Sequence, residues 1–252
     1  MRIEKPQPRH IRELRYLWQE AFGDTEEFLD QFFSKAFSPD RCRCVLEEDR
    51  PVAVVYWFDE FCRGKPVAYL YAVATRLSCR GRGLCRELLA RTHRDLADLG
   101  YAGAVLVPAN EGLAEMYRGM GYEFFGGVTD IPVSAGEVAA TLRPVDAGEY
   151  HRLREKYLPD GGVSLDEKYL PFLESQAKLY AGADFLLAAA WEDGILIGIE
   201  LLGNAAAAPG ILKALGAEAG TFRTPGSEKN FAMYHSLDKA AQPPAYFGLA
   251  FQ

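Results

Sequence analysis

The chain has 252 residues, 49% of them hydrophobic and 25% charged, with 28 Lys+Arg against 35 Asp+Glu and a formal net charge of −7. This length and composition fit one large globular domain or two small ones and exclude wholesale disorder. No apolar run approaches the ~20 residues of a membrane helix, the opening MRIEKPQPRH does not read as a secretory signal, and the acidic balance argues against a general nucleic-acid binder, which needs a basic surface.

Apolar residues at helical spacing (Ile11, Leu14, Leu17, Trp18, Phe22) predict a helix over residues 8–22, stopped by Gly23. Thr25 is placed to cap a second helix carrying Phe28, Leu29, Phe32, Phe33 and Phe37, with Glu26 and Glu27 in its first turn. Residues 42–47 and 51–58 read as a hairpin around Glu48, Asp49 and Arg50. Residues 66–75 (PVAYLYAVAT) are nearly all apolar, as a central strand covered on both faces should be. Residues 78–83 break that strand, and Leu84, Leu88, Leu89, Leu96 and Leu99 give a helix that ends at Gly100. A buried strand over residues 102–108, a loop from Asn110, a short helix to Gly121 and a β-rich run over residues 122–125 complete an α/β half.

The second half repeats this order in outline. A strand is expected at residues 139–142, a helix at 146–158, and another, capped by Ser164 or Asp166, running to about Leu179. A hairpin around Glu192, Asp193 and Gly194 joins strands at 185–191 and 195–202, a short helix spans 209–215, and late strands are expected at 231–235 and 246–251. The repeat is one of element order, not of residues, and fits either two related halves or one sheet with additions. The halves differ in charge: residues 1–127 hold 18 basic and 19 acidic residues, residues 128–252 hold 10 and 16.

All five cysteines (Cys42, Cys44, Cys62, Cys79, Cys85) precede residue 86. Their odd number reads as reduced thiols of a cytoplasmic protein. A single residue separates Cys42 from Cys44, whereas zinc pairs usually leave about two to four, so no metal site is expected. They read as small buried hydrophobes.

The informative stretch is Arg80-Gly81-Arg82-Gly83-Leu84-Cys85-Arg86. A strand that ends in a Gly-rich turn and opens a helix aims free backbone N–H groups, and the positive end of the helix dipole, at one spot. Gly81 and Gly83 let the backbone approach a phosphate closely, and Arg80, Arg82 and Arg86 can pair with its oxygens. The bland alternative is an ordinary loop with surface arginines. A Walker loop is excluded because no Lys-Ser or Lys-Thr follows, and only the first two glycines of a dinucleotide fingerprint are present.

These residues resemble the acyl-CoA signature R/Q-x-x-G-x-G/A of the GNAT N-acetyltransferase superfamily. Arg80 and Gly83 match it, and Cys85 departs from it, standing where Gly or Ala is usual. The turn is more similar still to the R-x-R-G-L-x-R form of tandem-GNAT proteins related to the mycobacterial enhanced-intracellular-survival acetyltransferases. Asn110 and the segment Tyr117-Arg118-Gly119-Met120-Gly121-Tyr122 resemble the family's second signature, in the right order and beyond a strand. The resemblance covers residues 1–127. It implies an α/β GNAT fold there, a mixed central sheet flanked by helices, followed over residues 128–252 by a degenerate GNAT-like half without its own cofactor site.

The resemblance also implies roles. The pantetheine arm of acetyl-CoA would lie along Val73, Ala74 and Thr75, and its pyrophosphate on Arg80, Gly81, Arg82, Gly83, Leu84, Cys85 and Arg86. Asn110 would touch the arm, and Tyr117 would protonate the leaving thiolate as general acid. By spacing alone Tyr117 reads first as a core aromatic of an amphipathic helix; the Arg/Gly turn and Asn110 reverse that preference. The general base is unassigned: the strand at 66–75 has no carboxylate, and Asp59 and Glu60 are the nearest, though a surface turn explains them equally well. Relatives in the survival-protein subgroup use their own C-terminal carboxylate, a role Gln252 would take only if the chain ends there and reaches the site. The expected activity is N-acetylation of a small-molecule or peptide amine, with no metal, membrane or nucleic acid involved. The alternative is a silent module that binds CoA or acyl-CoA as a sensor. Aminoacyl transfer from tRNA, known in other tandem members, is disfavoured by the acidic charge. His93 reads as solvated within Arg91-Thr92-His93-Arg94-Asp95, and His151 and His235 have no evident partner.

Overall fold

In the computed structural model, which describes residues 1–251, the chain builds two sheets in two units. The first unit comprises residues 1–106, 110–123 and 234–242 and the second residues 107–109, 124–233 and 243–251, so the units interleave along the sequence.

The first unit contains β1 (Arg2–Glu4), α1 (Ile11–Phe22), α2 (Glu26–Lys35), β2 (Cys42–Glu47), β3 (Arg50–Cys62), β4 (Lys65–Thr75), α3 (Leu84–Asp98), β5 (Gly103–Leu106), α4 (Glu111–Arg118) and the start of β6 (Glu123–Phe125). Thr25 caps α2, its hydroxyl accepting from the Phe28 amide at 3.2 Å. The helices form because their apolar residues fall on one stripe. Leu14, Leu17 and Trp18 of α1 and Leu29 and Phe32 of α2 are buried, and the Trp18 ring lies 4.6 Å from Phe32 and 5.2 Å from Tyr56 of β3. Leu84, Leu88, Leu89 and Leu96 give α3 its buried face.

The second unit contains β7 (Val128–Ser134), β8 (Leu142–Pro144), α5 (Ala147–Tyr157), β9 (Ser164–Leu165), α6 (Leu170–Gln176), β10 (Lys178–Gly182), β11 (Phe185–Glu192), β12 (Ile195–Gly203), α7 (Ala208–Leu215) and β13 (Ala219–Pro225). Its sheet runs β7-β13-β12-β11-β10-β8, and Leu187, Ala189, Leu201, Ile211, Leu212 and Phe222 form its core. β14 (Ala232–Ser236) then follows, and residues 234–236 belong to the first unit. There β14 lies between β5 and β6, in the order β1-β2-β3-β4-β5-β14-β6.

The two units share an order of elements. In the first, β1 pairs with β2, then β2, β3 and β4 run antiparallel, and α3 crosses over to the parallel β5. In the second, β8 pairs with β10, then β10, β11 and β12 run antiparallel, and α7 crosses over to the parallel β13.

The structure corrects four expectations. The strand expected at 139–142 forms instead at Leu142–Pro144. The helix expected to reach Leu179 ends at Gln176, and Leu179 lies in β10. Residues 246–251 are buried but form no strand. Strands β7 and β13 arise where none was expected. No helix among the described residues is long and apolar enough to cross a membrane.

Candidate active site

β4 and β5 pair only at Val67–Gly103, Ala68–Ala104 and Tyr69–Val105. Beyond Tyr69 the strands part, so one edge of Val73, Ala74 and Thr75 carries no strand partner, while the other edge pairs Ala74 with Val54 and Thr75 with Ala53. The register of β3 and β4 shifts between Val54 and Tyr56, and opposite that shift Ala72 has φ +49°. A non-glycine residue in that region costs about 1–2 kcal/mol. A bulge that bends a central strand away from its neighbour is how a sheet opens an edge to a ligand.

The turn after β4 is held from below. Arg76 is buried and donates to the Pro51 carbonyl at 3.0 Å and to Glu13 Oε2 of α1 at 2.6 Å, and Glu20 Oε1 accepts the Leu77 amide at 2.6 Å. Gly81 and Gly83 then take φ +76° and +79°, and a Cβ on either would meet nothing within 4 Å. The backbone conformation demands glycine there, and the space beside it is open. Gly83 caps α3 without a side-chain bond, and the first helical bond is Glu87 N to Gly83 O at 3.2 Å. The amides of Leu84, Cys85 and Arg86 are thus the unsatisfied donors of a helix start.

The three arginines are each oriented. Arg80 Nε donates to the Thr75 carbonyl at 3.2 Å, tying the turn to the open strand end. Arg82 makes a two-point pair with Glu47 at 3.1 and 2.5 Å, which lowers the Glu47 pKa by direct hydrogen bonding. Arg86 Nη1 donates to the Gly119 carbonyl just past α4 at 2.9 Å. Each guanidinium has five donors, so each keeps donors for an anion.

Asn110 caps α4, its Oδ1 accepting the Leu113 amide at 3.0 Å. Tyr117 stands on the buried face of α4, 6% exposed. Its hydroxyl has no hydrogen bond to a described residue yet is not sealed from solvent. Burial, and then the neighbouring Cys85, push its pKa above the usual phenol value. Burial likewise raises the Cys85 thiol to about 11. At neutral pH both groups hold their protons. The strand end, the turn, Cys85, Arg86 and Tyr117 are therefore linked around the start of α3.

The carboxylates differ from their sequence reading. Asp59 is buried, not a surface turn residue, and takes Arg41 Nε at 2.8 Å and the Tyr101 hydroxyl. Burial, and then the bond to Asp59, raise the Tyr101 pKa to about 12. Glu60 is also buried, 2% exposed. Gln252 lies outside the described residues. Cys42, Cys44, Cys62 and Cys79 are buried and in no disulfide, and burial lifts Cys44 to about 12, far from a reactive thiolate. The described residues contain no group of three His, Cys, Asp or Glu able to hold a metal.

His93 is not solvated. Its Nε2 lies 2.7 Å from the Tyr122 hydroxyl, and its ring stacks on His235 at 4.1 Å. Burial, then His235, lower its pKa to about 3, so it is neutral at physiological pH. His235 has partners that its sequence position hid, among them the Gly121 carbonyl at 3.0 Å. The helical spacing of Leu89, His93 and Leu96 was the available signal for His93. For Glu47 and His235 the sequence holds none, because their partners lie 35 and 114 residues away.

Residues 2–125 match the model of the acetyltransferase (GNAT) domain. A search of curated proteins finds none similar in sequence. Among solved structures, the chain is similar to a GCN5-related N-acetyltransferase from Kribbella flavida, at 21% identity and TM-score 0.72, over 94% of this chain and 72% of that one. It is similar to Eis1 from Mycobacterium abscessus at 12% identity and TM-score 0.68, over 94% and 74%. It is also similar to a putative acetyltransferase from Pyrococcus horikoshii at 15% identity and TM-score 0.65, over 99% and 92%. At these identities the solved structures speak to the fold alone.

Proposed function

We propose, from the premise that residues 2–125 are a GNAT acetyltransferase domain and so serve acyl transfer from acyl-CoA, that the protein moves an acetyl group from acetyl-CoA to an amine of a small molecule or peptide. The observation that carries the proposal is the meeting of an unpaired strand edge, a Gly/Arg turn and a protonated tyrosine around the start of α3. The thioester supplies the acetyl group and a thiol leaving group.

The free edge of Val73, Ala74 and Thr75 offers backbone donors and acceptors to the amides of the pantetheine arm, as an added strand would receive them. Asn110 keeps its Nδ2 amide for the same arm while Oδ1 caps α4. The amides of Leu84, Cys85 and Arg86, with Arg80, Arg82 and the open backbone at Gly81 and Gly83, take the pyrophosphate. Tyr117 holds the proton for the departing sulfur. Its burial raises its pKa, and the same apolar surroundings raise the proton affinity of a thiolate formed beside it, so donor and acceptor stay matched. The amine must arrive neutral. Asp59, committed to Arg41 and Tyr101, is a poor candidate for the base.

The second half is proposed to be a degenerate GNAT-like half without a cofactor site of its own. Its element order supports this reading, and so does the link from β12 to α7 (Asn204-Ala205-Ala206-Ala207-Ala208-Pro209), which carries no Gly/Arg turn.

Tyr117→Phe tests the role directly, because it removes only a hydroxyl that bonds to no described residue. We expect kcat, measured against a panel of small amines and lysine peptides, to fall by about 10²–10⁴. Acetyl-CoA affinity is expected to stay within about twofold of its original value. Unchanged turnover removes Tyr117 from the chemistry. Acetyl-CoA binding without turnover on any amine, even with Tyr117 intact, favours the silent sensor.

A further inference from the structure

We propose that His235 is a positioning residue for Tyr117, a role that rests on the reading of Tyr117 as proton donor. His235 comes from β14, more than a hundred residues after α4, yet both belong to the first unit. Its Nδ1 lies 3.0 Å from the Gly121 carbonyl. A carbonyl can only accept, so Nδ1 carries the proton and donates.

Gly121 belongs to the tight turn that ends the Tyr117 helix. The Tyr117 carbonyl accepts the Met120 amide at 2.9 Å and the Tyr122 amide at 3.1 Å. The Tyr122 ring then meets the Tyr117 ring edge-on, with centroids 5.7 Å apart. Tyr122 is fixed from the other side. It is fully buried, its hydroxyl lies 2.7 Å from His93 Nε2, and its ring lies 5.2 Å from His235. His93 is locked in turn by the near-parallel stack on His235, 14° between planes.

His235 thus holds the turn through the Gly121 carbonyl and the Tyr122 ring through His93. Both lines end on Tyr117, one through its backbone carbonyl and one through its ring. The Tyr117 hydroxyl itself has no hydrogen bond to a described residue that would orient it. Its direction is set only by how its ring and its helix end are held, and small misplacements of a catalytic group cost large factors in rate.

The test uses the full chain. His235→Phe keeps an aromatic ring to stack on His93 and removes the donor to Gly121. His235→Asn removes the ring but places an amide donor at the position of Nδ1. A chain carrying 3-fluorotyrosine at position 117 reports the ring by its fluorine resonance, which needs no acceptor. His235→Phe is expected to split or broaden that resonance and to lower kcat about tenfold, with KM for acetyl-CoA within about twofold. His235→Asn is expected to restore a single resonance and most of kcat. In a Tyr117→Phe background, His235→Phe should cost nothing further, because both changes act through one group.

An unshifted, single resonance in His235→Phe overturns the inference. If kcat also stays unchanged there while Tyr117→Phe loses turnover, the proton-donor reading stands and the positioning role alone fails. If Tyr117→Phe keeps turnover, the proton-donor reading fails, and the resonance alone decides whether His235 orients the ring.

Discussion

A fragment ending at residue 127 is expected to give no cooperative unfolding transition. Such a fragment holds every motif residue of the candidate site, but it lacks β14 and the residues after it. In the intact chain β14 fills the place between β5 and β6. The Tyr234 hydroxyl donates to the Ala102 carbonyl at 2.9 Å, and the Leu237 and Asp238 amides reach the same carbonyl at 3.0 Å. Asp238 pairs with Lys65 at 2.7 Å. Gly103 of β5 has no side chain because the Tyr234 ring occupies the position of its Cβ. Removal of β14 exposes the β5 edge and the surface under Tyr234 together, a loss that a domain of marginal stability does not survive. The single-residue version, Tyr234→Ala, is expected to cost about 3–5 kcal/mol, as for other buried aromatic residues. Denaturant unfolding of the fragment and of the variant checks both. A fragment that unfolds cooperatively and binds acetyl-CoA would show that the first half is autonomous.

In the second unit, Glu200→Ala is expected to destabilise by about 3–5 kcal/mol. Glu200 is fully buried on β12 and accepts from Arg154 Nε at 2.7 Å and Nη2 at 2.9 Å, from Tyr150 at 3.3 Å and from Tyr246 at 3.1 Å. Arg154 Nη1 also donates to the Val163 carbonyl at 3.0 Å. Burial opposes the charge on Arg154, but the carboxylate outweighs it, and the guanidinium is held more firmly protonated than usual. Loss of Glu200 leaves that cation buried without a counter-charge, with only the Val163 carbonyl as acceptor, and removes the acceptor of two buried phenols. A double change, Arg154→Met with Glu200→Leu, removes both charges and should cost much less than either half alone. Chemical denaturation of the three variants decides. Equal losses in the single and double variants would mean that the network contributes packing and not paired charge.

The sequence revealed elements wherever a local pattern carried the physics. The stripes of α1, α2 and α3, the Thr25 cap and the apolar β4 were all legible, because burial there follows periodicity within a few residues. β7 and β13 were not. Val128–Ser134 mixes Thr129, Asp130, Pro132 and Ser134 into an edge strand, and Ala219–Pro225 contains Gly220 and Arg223, so neither shows an apolar run. The segment at 246–251 failed in the opposite way. Tyr246, Phe247, Leu249, Ala250 and Phe251 are buried, and burial without a ladder looks like a strand in sequence. The junction of α6 and β10 was misplaced because Phe172 and Leu179, seven residues apart, continue one apolar spacing across the end of the helix.

At the candidate site, the glycines and arginines were legible because a Gly/Arg turn between a strand and a helix is a local object. Its supports were not. Glu47 meets Arg82, Arg76 meets Glu13 and Glu20, and His235 meets Gly121 only through the sheet and helices between them.

The most direct test of the account is thermal unfolding of the intact chain with acetyl-CoA, beside free adenosine as control. Acetyl-CoA at about 100 times its dissociation constant should add about 2.7 kcal/mol, roughly 5–10 °C for a chain of this size. The shift should vanish in the Arg82→Glu/Arg86→Glu double variant, measured against that variant's own unliganded transition, and adenosine alone should not reproduce it. No shift at millimolar acetyl-CoA, or an equal shift in the charge-reversed variant, would contradict the assignment of residues 80–86 as the seat of the pyrophosphate.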